Sequence, residues 1–184
     1  MPTSKQADIA AIQEITKVVH TCARALDRLD RALLLSCFHP DATDDHAPFF
    51  SGTAAGFVDW VLPALAGMRA TRHVVTNILV HRHGEAAGVE TYWSATLRLS
   101  DGNTTLRREG RYLDRFSRVG SRWAIRHRQS ITEWSRGTTE ANDELAPAAI
   151  PRETPAGIMI YAARDRSDPS YRVLSNEISP GGEQ

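Results

Sequence analysis

Residues 71–84 read TRHVVTNILVHRHG, and residues 85–135 continue EAAGVETYWSATLRLSDGNTTLRREGRYLDRFSRVGSRWAIRHRQSITEWS. Polar and apolar residues alternate here, with Val, Ile, Thr, Tyr and Trp in excess, which is the pattern of half-buried strands. Three turn signals divide the stretch: His83-Gly84, Asp101-Gly102 and Gly120-Ser121. They delimit four long strands, 71–82, 85–100, 103–119 and 122–135, in a hairpin-connected antiparallel meander.

Upstream the period changes to that of helices. Ile9, Ile12, Ile15, Val19, Cys22 and Leu26 recur at steps of three and four within residues 5–28, giving one apolar stripe. Asp30 suits the N-cap of a short helix, Arg31 to Phe38, stopped by Pro40. Asp41 to His46 alternates as a short strand, and Gly52-Thr53 opens a third helix through Met68 that Pro63 kinks or splits. Helices followed by a meander predict an α+β fold with the helices on one side of the sheet. Residues 137–156, rich in Thr, Ala, Pro and Glu without periodicity, read as a linker or surface-hugging segment. The apolar run Ile158–Tyr161 is costly to expose and is expected to dock on the domain or a neighbouring subunit. The expected division is a domain over residues 1–136 and a C-terminal extension over residues 137–184.

With 184 residues and 41% hydrophobic composition, the chain is long enough for one domain with a real core. Basic and acidic residues cancel at 22 each, so charge gives no reason to expect nucleic acid, an acidic membrane surface or a polyanionic substrate. Cys22 and Cys37 supply neither a disulfide framework nor a zinc site. No apolar run approaches a membrane span, and Met1–Lys5 lacks the apolar core of a signal peptide, so a soluble cytoplasmic protein is expected.

If each turn is a two-residue loop, the sheet can be assembled on paper. His73 then pairs with Ser94, Val75 with Tyr92, Tyr92 with Arg111, Ser94 with Glu109, and Leu113 with Arg128. One face collects His73, Asn77, Glu90, Tyr92, Ser94, Glu109, Arg111, Arg128 and Ser130. The other collects Val74, Ile78, Val80, Val89, Trp93, Leu97, Tyr112, Phe116, Trp123, Ile125 and Ile131, and needs cover from helices or another subunit; His127 falls there too. A β-bulge reverses every residue beyond it. The polar face is either a solvated outer surface or a pocket floor. Asp27 lies at the rim of the helix stripe, either pairing with Arg24 or Arg31 at the helix end or facing a buried cation. His39, Asp41, Asp44, Asp45 and His46 cluster without a metal-ligand spacing, so no metal is expected; His81 and His83 read as solvated.

The stretch Ala-Arg-Ala-Leu-Asp-Arg-Leu-Asp at 23–30, with Cys-Phe-His-Pro-Asp-Ala at 37–42, resembles the opening of the SnoaL-like branch of the nuclear transport factor 2-like superfamily. Arg72 to Asn77, Gly110 to Phe116 and Trp123 to Ile125 resemble the same branch, in its usual order. The resemblance covers about residues 8–135 and implies a cone, a curved antiparallel sheet around a pocket closed by the N-terminal helices. It is similar in particular to the hexachlorocyclohexane dehydrochlorinase and the scytalone and bile-acid dehydratases. That similarity implies an Asp–His dyad at Asp27 and His73, with Asn77 four residues on and Arg128 lining the pocket. Asp44 and His46 stand where the dehydrochlorinase has more apolar lining, which implies a more polar substrate.

A neutral imidazole titrates near neutral pH, and a carboxylate on one ring nitrogen fixes the tautomer and aims the other at a substrate. The implied activity is a cofactor-independent lyase acting by dehydration, dehydrohalogenation or retro-aldol cleavage, or an isomerase, on a small cyclic or aromatic molecule. Tyr92, Arg111 and Arg128 are expected to stabilise developing charge or bind substrate, with Asp44, His46 and Asn77 as further binding residues. The competing expectations are a non-catalytic small-molecule-binding module and the small structural subunit of an aromatic-ring dioxygenase. The apolar sheet face and the tail run favour a homodimer or homotrimer.

Overall fold

The computed structural model describes residues 4–139, 153–154, 157–158 and 162–174. Helix α1 (Ser4–Asp27) leads through α2 (Arg31–Ser36) to strands β1 (Phe38–His46) and β2 (Phe50–Thr53) and helix α3 (Ala54–Ala66). Four long strands follow: β3 (Ala70–His83), β4 (Ala86–Arg98), β5 (Thr104–Val119) and β6 (Arg122–Thr139). The small ladder of β7 (Glu153–Thr154) with β8 (Gly157–Ile158) and the short helix α4 (Ser170–Leu174) complete the elements. The first six strands make one curved, open sheet in the order β2-β1-β6-β5-β4-β3, antiparallel throughout except where β1 runs parallel to β6. The architecture is therefore α+β, with a meander of four strands and helices packed on one face.

Several boundaries differ from expectation for local reasons. Helix α2 stops at Ser36 because Cys37 already offers its carbonyl to Ile125 N (2.9 Å), and the chain enters the sheet at Phe38. Asp30 caps α2 as expected, accepting from Leu33 N at 3.0 Å. Helix α3 starts on the Thr53 cap and runs unbroken past Pro63. Pro63 sits one turn from the end, so its missing N–H costs a single intrahelical hydrogen bond. In α1 the buried stripe is Ala11, Ile15, Val19, Cys22 and Leu26, while Ile9 and Ile12 are 49% and 40% exposed. At 100° per residue Ile9 lies about 120° around the helix from Ile15, so Ala11 takes the inward place.

Three bulges decide which side chains face the helices. In β3 the pair Asn77–Ile78 stands opposite the single residue Thr91, and Asn77 adopts φ 48°. This shifts His73 opposite Ala95 and Val74 opposite Ser94, so His73 and Val75 turn inward together with Ile78 and Val80. In β6 Arg126 is the extra residue: Ile125 pairs with Phe116 but His127 with Arg115. Ile125 and Arg128 therefore both face inward, and His127 turns outward to meet Thr43 Oγ1 at 2.8 Å instead of lying on the apolar face. A third bulge lies at Glu133, beside Gly110. The β4–β5 register matches expectation, with Tyr92 opposite Arg111 and Ser94 opposite Glu109.

The inward face consequently carries the apolar core of Val89, Trp93, Leu97, Tyr112, Phe116, Trp123 and Ile125, interrupted by His73 and Arg128. Helix α1 packs on β3 and β6 and α3 on β1 and β2, so that face is covered within the chain rather than left open for another subunit. Residues 162–174 lie against the same helices. Tyr171 donates its hydroxyl to Asp30 Oδ2 (2.7 Å) beneath the Arg24 guanidinium, and Arg164 donates to Leu65 O and Met68 O (2.8 Å each) at the end of α3. The buried Asp168 accepts the Ser170 hydroxyl and the backbone N–H groups of Ala163 and Ser170, which hold its pKa at about 2. Residues 140–152 and the side chains of the apolar run Ile158–Tyr161 lie outside the described residues. Among the described residues no helix is long and apolar enough to cross a membrane.

Gly110 is required by close approach. A Cβ there would stand 1.9 Å from Ile131 O and 2.9 Å from the Trp93 indole. Gly110→Ala is therefore expected to cost about 1–3 kcal/mol by overpacking, a fall of roughly 3–10 °C in melting temperature for this chain length, measurable by scanning calorimetry.

Candidate active site

Asp27 is the last residue of α1, where the chain leaves the helix through Leu29 at φ 52°. Its carboxylate reaches β3 and is fixed there by three donors. His73 N donates to Oδ2 at 2.8 Å, Thr71 Oγ1 donates to Oδ1 at 3.2 Å, and the His73 ring places Nδ1 2.7 Å from Oδ1. Since a carboxylate only accepts, Nδ1 carries a proton, and in the neutral ring Nε2 keeps its lone pair. Neither helix-end arginine competes: Arg24 turns to Ser170 and Tyr171, and Arg31 donates to Asp59. Thr71 also accepts a hydrogen bond from Arg164 (3.2 Å), so the C-terminal segment touches the support of this pair. Both side chains are mostly buried, 11% exposed for His73 and 14% for Asp27.

His73 opens into a chamber of about 220 Å³ between the sheet and α3. Its apolar walls include Phe57, Trp60, Leu65, Trp93 and Leu97, and its polar groups are His46, His73, Arg108, Tyr112, Arg128, Ser130 and Thr132. The buried Trp93 Nε1 has no hydrogen-bond partner among the described residues. Burial pushes the Tyr112 phenol up, so this hydroxyl stays neutral at physiological pH. On its other side the Asp27–His73 pair borders a surface groove with Arg24, Arg28 and Arg72. Cys22 and Cys37 are buried and neither lines the chamber.

The other expected site residues divide into those the fold gathers and those it turns away. His46 lines the chamber; Asp44 stands behind it, with no exposed side-chain surface, and its Oδ1 contacts His46 Nδ1. Both belong to β1, which contains the short strand expected over Asp41 to His46. Arg128 lines the chamber but is not a free cation. Its Nε and Nη2 grip Asp114 at 2.8 and 2.7 Å, and Nη1 donates to Cys22 Sγ at 3.3 Å. Burial opposes this guanidinium's charge, and the facing Asp114 carboxylate outweighs it and raises the pKa well above the usual arginine value. Tyr92 and Arg111 lie on the outer face. Tyr92 is 39% exposed, and Arg111 bridges Glu90 (2.9 Å) and Glu133 (2.6 Å). Asn77 is spent on the bulge and is exposed. Among the described residues no three His, Cys, Asp or Glu side chains converge to hold a metal ion.

The SnoaL-like domain family matches residues 7–129. The chain belongs to that family. Its SnoaL-like domain is similar in structure to a provisionally named scytalone dehydratase from Novosphingobium aromaticivorans DSM 12444, with 21% identity, 70% of this chain and 88% of that chain covered, and a TM-score of 0.65. It is also similar to the type 2 hexachlorocyclohexane dehydrochlorinase LinA, with 16% identity, 75% and 93% coverage and a TM-score of 0.63. The LinA-type3 dehydrochlorinase from Novosphingobium barchaimii LL02 gives 17% identity, 75% and 93% coverage and a TM-score of 0.60. Identities this low show a common fold and nothing finer. No curated protein matches the sequence.

The sequence reading of this SnoaL-like domain passes over Arg108, which reaches the chamber and lies 4.9 Å from the Phe49 ring centroid. The signal is present in β5: Arg108, Gly110, Tyr112, Asp114 and Phe116 alternate on one face, so assigning Tyr112 inward assigns Arg108 inward as well. Among the described residues Arg108 has no carboxylate partner, unlike Arg128.

The Arg128–Asp114 pair is built to be broken only at high cost. Asp114→Asn leaves a buried cation unpaired and is expected to lower stability by about 3–5 kcal/mol. Denaturant titration should show most of that loss recovered in the Arg128→Met/Asp114→Leu double variant.

Proposed function

We propose that the protein is a lyase that removes a proton from carbon beside a leaving group, with His73 as the base and Asp27 as its positioning partner; isomerisation by the same proton transfer is the second outcome this pair can serve. The observation that carries the reading is the 2.7 Å contact between His73 Nδ1 and Asp27 Oδ1 at the wall of an aromatic-lined chamber. With Nδ1–H held by the carboxylate, Nε2 accepts the substrate proton, and Asp27 stabilises the imidazolium that results. The role matches that of the aspartate in a Ser-His-Asp triad, without a nucleophile. The chamber suits a small cyclic or aromatic molecule, because flat rings can lie against Phe57, Trp60 and Trp93. Arg108 is the cation placed to stabilise charge on a carbonyl oxygen or departing group. The groove behind the pair offers a route by which the captured proton returns to solvent. The chemistry asks only for a base, a charge stabiliser and exclusion of bulk water, so no cofactor is assigned to it.

Ring opening of 5-nitrobenzisoxazole, a flat carbon acid that needs only a base, tests the assignment. His73→Ala and Asp27→Asn are each expected to lower kcat/KM by about 10²–10⁴-fold, the usual contribution of a positioned general base, with the fold retained by circular dichroism. Undiminished turnover in either variant contradicts the assignment.

A further inference from the structure

We infer that Asp44 and His46 form a second carboxylate–imidazole pair in the same chamber, with His46 the general acid that protonates a departing hydroxyl group. The inference rests on His73 being the base. Strand alternation turns Ala42, Asp44 and His46 inward along β1, and the Asp44 side chain is completely buried. Asp44 Oδ1 contacts His46 Nδ1, while Oδ2 has no hydrogen-bond partner among the described residues. A buried carboxylate with an empty oxygen is costly, and among the described residues the His46 Nδ1–H is the donor that offsets it. That places one proton at Nδ1 and leaves Nε2 for the chamber, where a second proton makes the ring the imidazolium that a general acid must be. The ring is clamped by Phe57, stacked with centroids 4.5 Å apart, and by Tyr112 at 5.9 Å.

His46 and His73 thus line one cavity, each with Nδ1 fastened to its own carboxylate. The two pairs are not equivalent. Asp27 shares its charge among Thr71, the His73 backbone and the His73 ring, whereas the Asp44 carboxylate has His46 as its one hydrogen-bond partner among the described residues. The charged or titratable groups around His46 are Asp44 on β1, Tyr112 and Asp114 on β5, Arg128 on β6, and Arg108 and His73 elsewhere on the chamber wall; α3 contributes only aromatic and aliphatic side chains. Arg128 is already paired with Asp114.

A division of labour follows. His73 Nε2 takes the proton from carbon, the C–H electrons form the double bond, and the C–O bond breaks. The leaving oxygen takes the Nε2 proton of an imidazolium at His46 and departs as water; both imidazoles then exchange protons with solvent. Substrate becomes alkene plus water with no other reactant. Hydroxide is a poor leaving group and needs that proton, whereas chloride does not, so the second pair points to a cyclic β-hydroxy carbonyl compound.

Two probes giving the same product, cyclohex-2-enone, test this: 3-hydroxycyclohexanone and 3-chlorocyclohexanone. His46→Gln is expected to lower kcat on the hydroxy ketone by about 10²-fold or more and on the chloro ketone by less than about 3-fold, within the range of a general acid. The alkaline limb of the hydroxy-ketone pH profile, where the acid loses its proton, should vanish in this variant. In His46→Ala, added imidazole should restore part of the rate, and Asp44→Asn should lower the hydroxy-ketone rate while sparing chloride loss. Equal losses on both ketones, or an unchanged hydroxy-ketone rate and pH profile, overturn the second pair and leave the His73 base standing. Full activity of His73→Ala on both ketones overturns the base and this inference with it.

Discussion

A strand presents alternate side chains to opposite faces, so one unpaired residue reverses every assignment beyond it. The chamber of this protein depends on two such residues. The Asn77–Ile78 bulge turns His73 toward Asp27, and the extra residue Arg126 turns Arg128 toward Asp114 without turning Ile125 out of the core. Neither bulge lies in the chamber, yet together they bring a base and a buried ion pair onto a face that is otherwise apolar. Asn77 accommodates the left-handed backbone there, one of the few non-glycine residue types that does so at modest cost.

Once polar groups are turned into a buried interior, each needs a partner. Three carboxylates meet that need in different ways. Asp114 grips Arg128 through two parallel hydrogen bonds, a geometry suited to permanence. Asp27 and Asp44 each hold an imidazole, whose proton can be exchanged. The rigid pair lies between the apolar core and the chamber, and its guanidinium lies 4.1 Å from the Tyr112 ring centroid, fixing that wall. The chamber therefore combines a stiff electrostatic floor with two titratable groups.

The element order, the hairpin meander and the Asp27–His73 contact were legible in the sequence, the last because a family resemblance placed both residues. Period-two alternation predicted the strands well and the faces poorly. Tyr92 and Arg111 were assigned to a pocket floor because the register was carried through β3 and β6 without a bulge, and bulges have no reliable residue signature. Their mutual pairing is correct, but on the outer face. Asp44 and His46 fall in the short strand expected from alternation, but its place in the sheet comes from parallel pairing of β1 with β6, a contact between chain segments more than 80 residues apart. Such long-range pairing leaves no trace in local periodicity. Arg108 was within reach of parity and was overlooked.

The docked segment 162–174 adds a constraint of its own, since Arg164 bonds both the end of α3 and Thr71, which in turn bonds Asp27. The hydrogen-bond chain from tail to helix to strand converges on one nitrogen. Long-range proton–nitrogen correlation spectra of the nitrogen-15 histidine-labelled protein report that nitrogen directly. The expected spectrum shows neutral His73 with its proton on Nδ1 and an unprotonated Nε2, and loss of that preference in Asp27→Asn. A wild-type His73 that carries its neutral proton on Nε2, or a tautomer indifferent to Asp27, contradicts the acid–base role assigned to the pair.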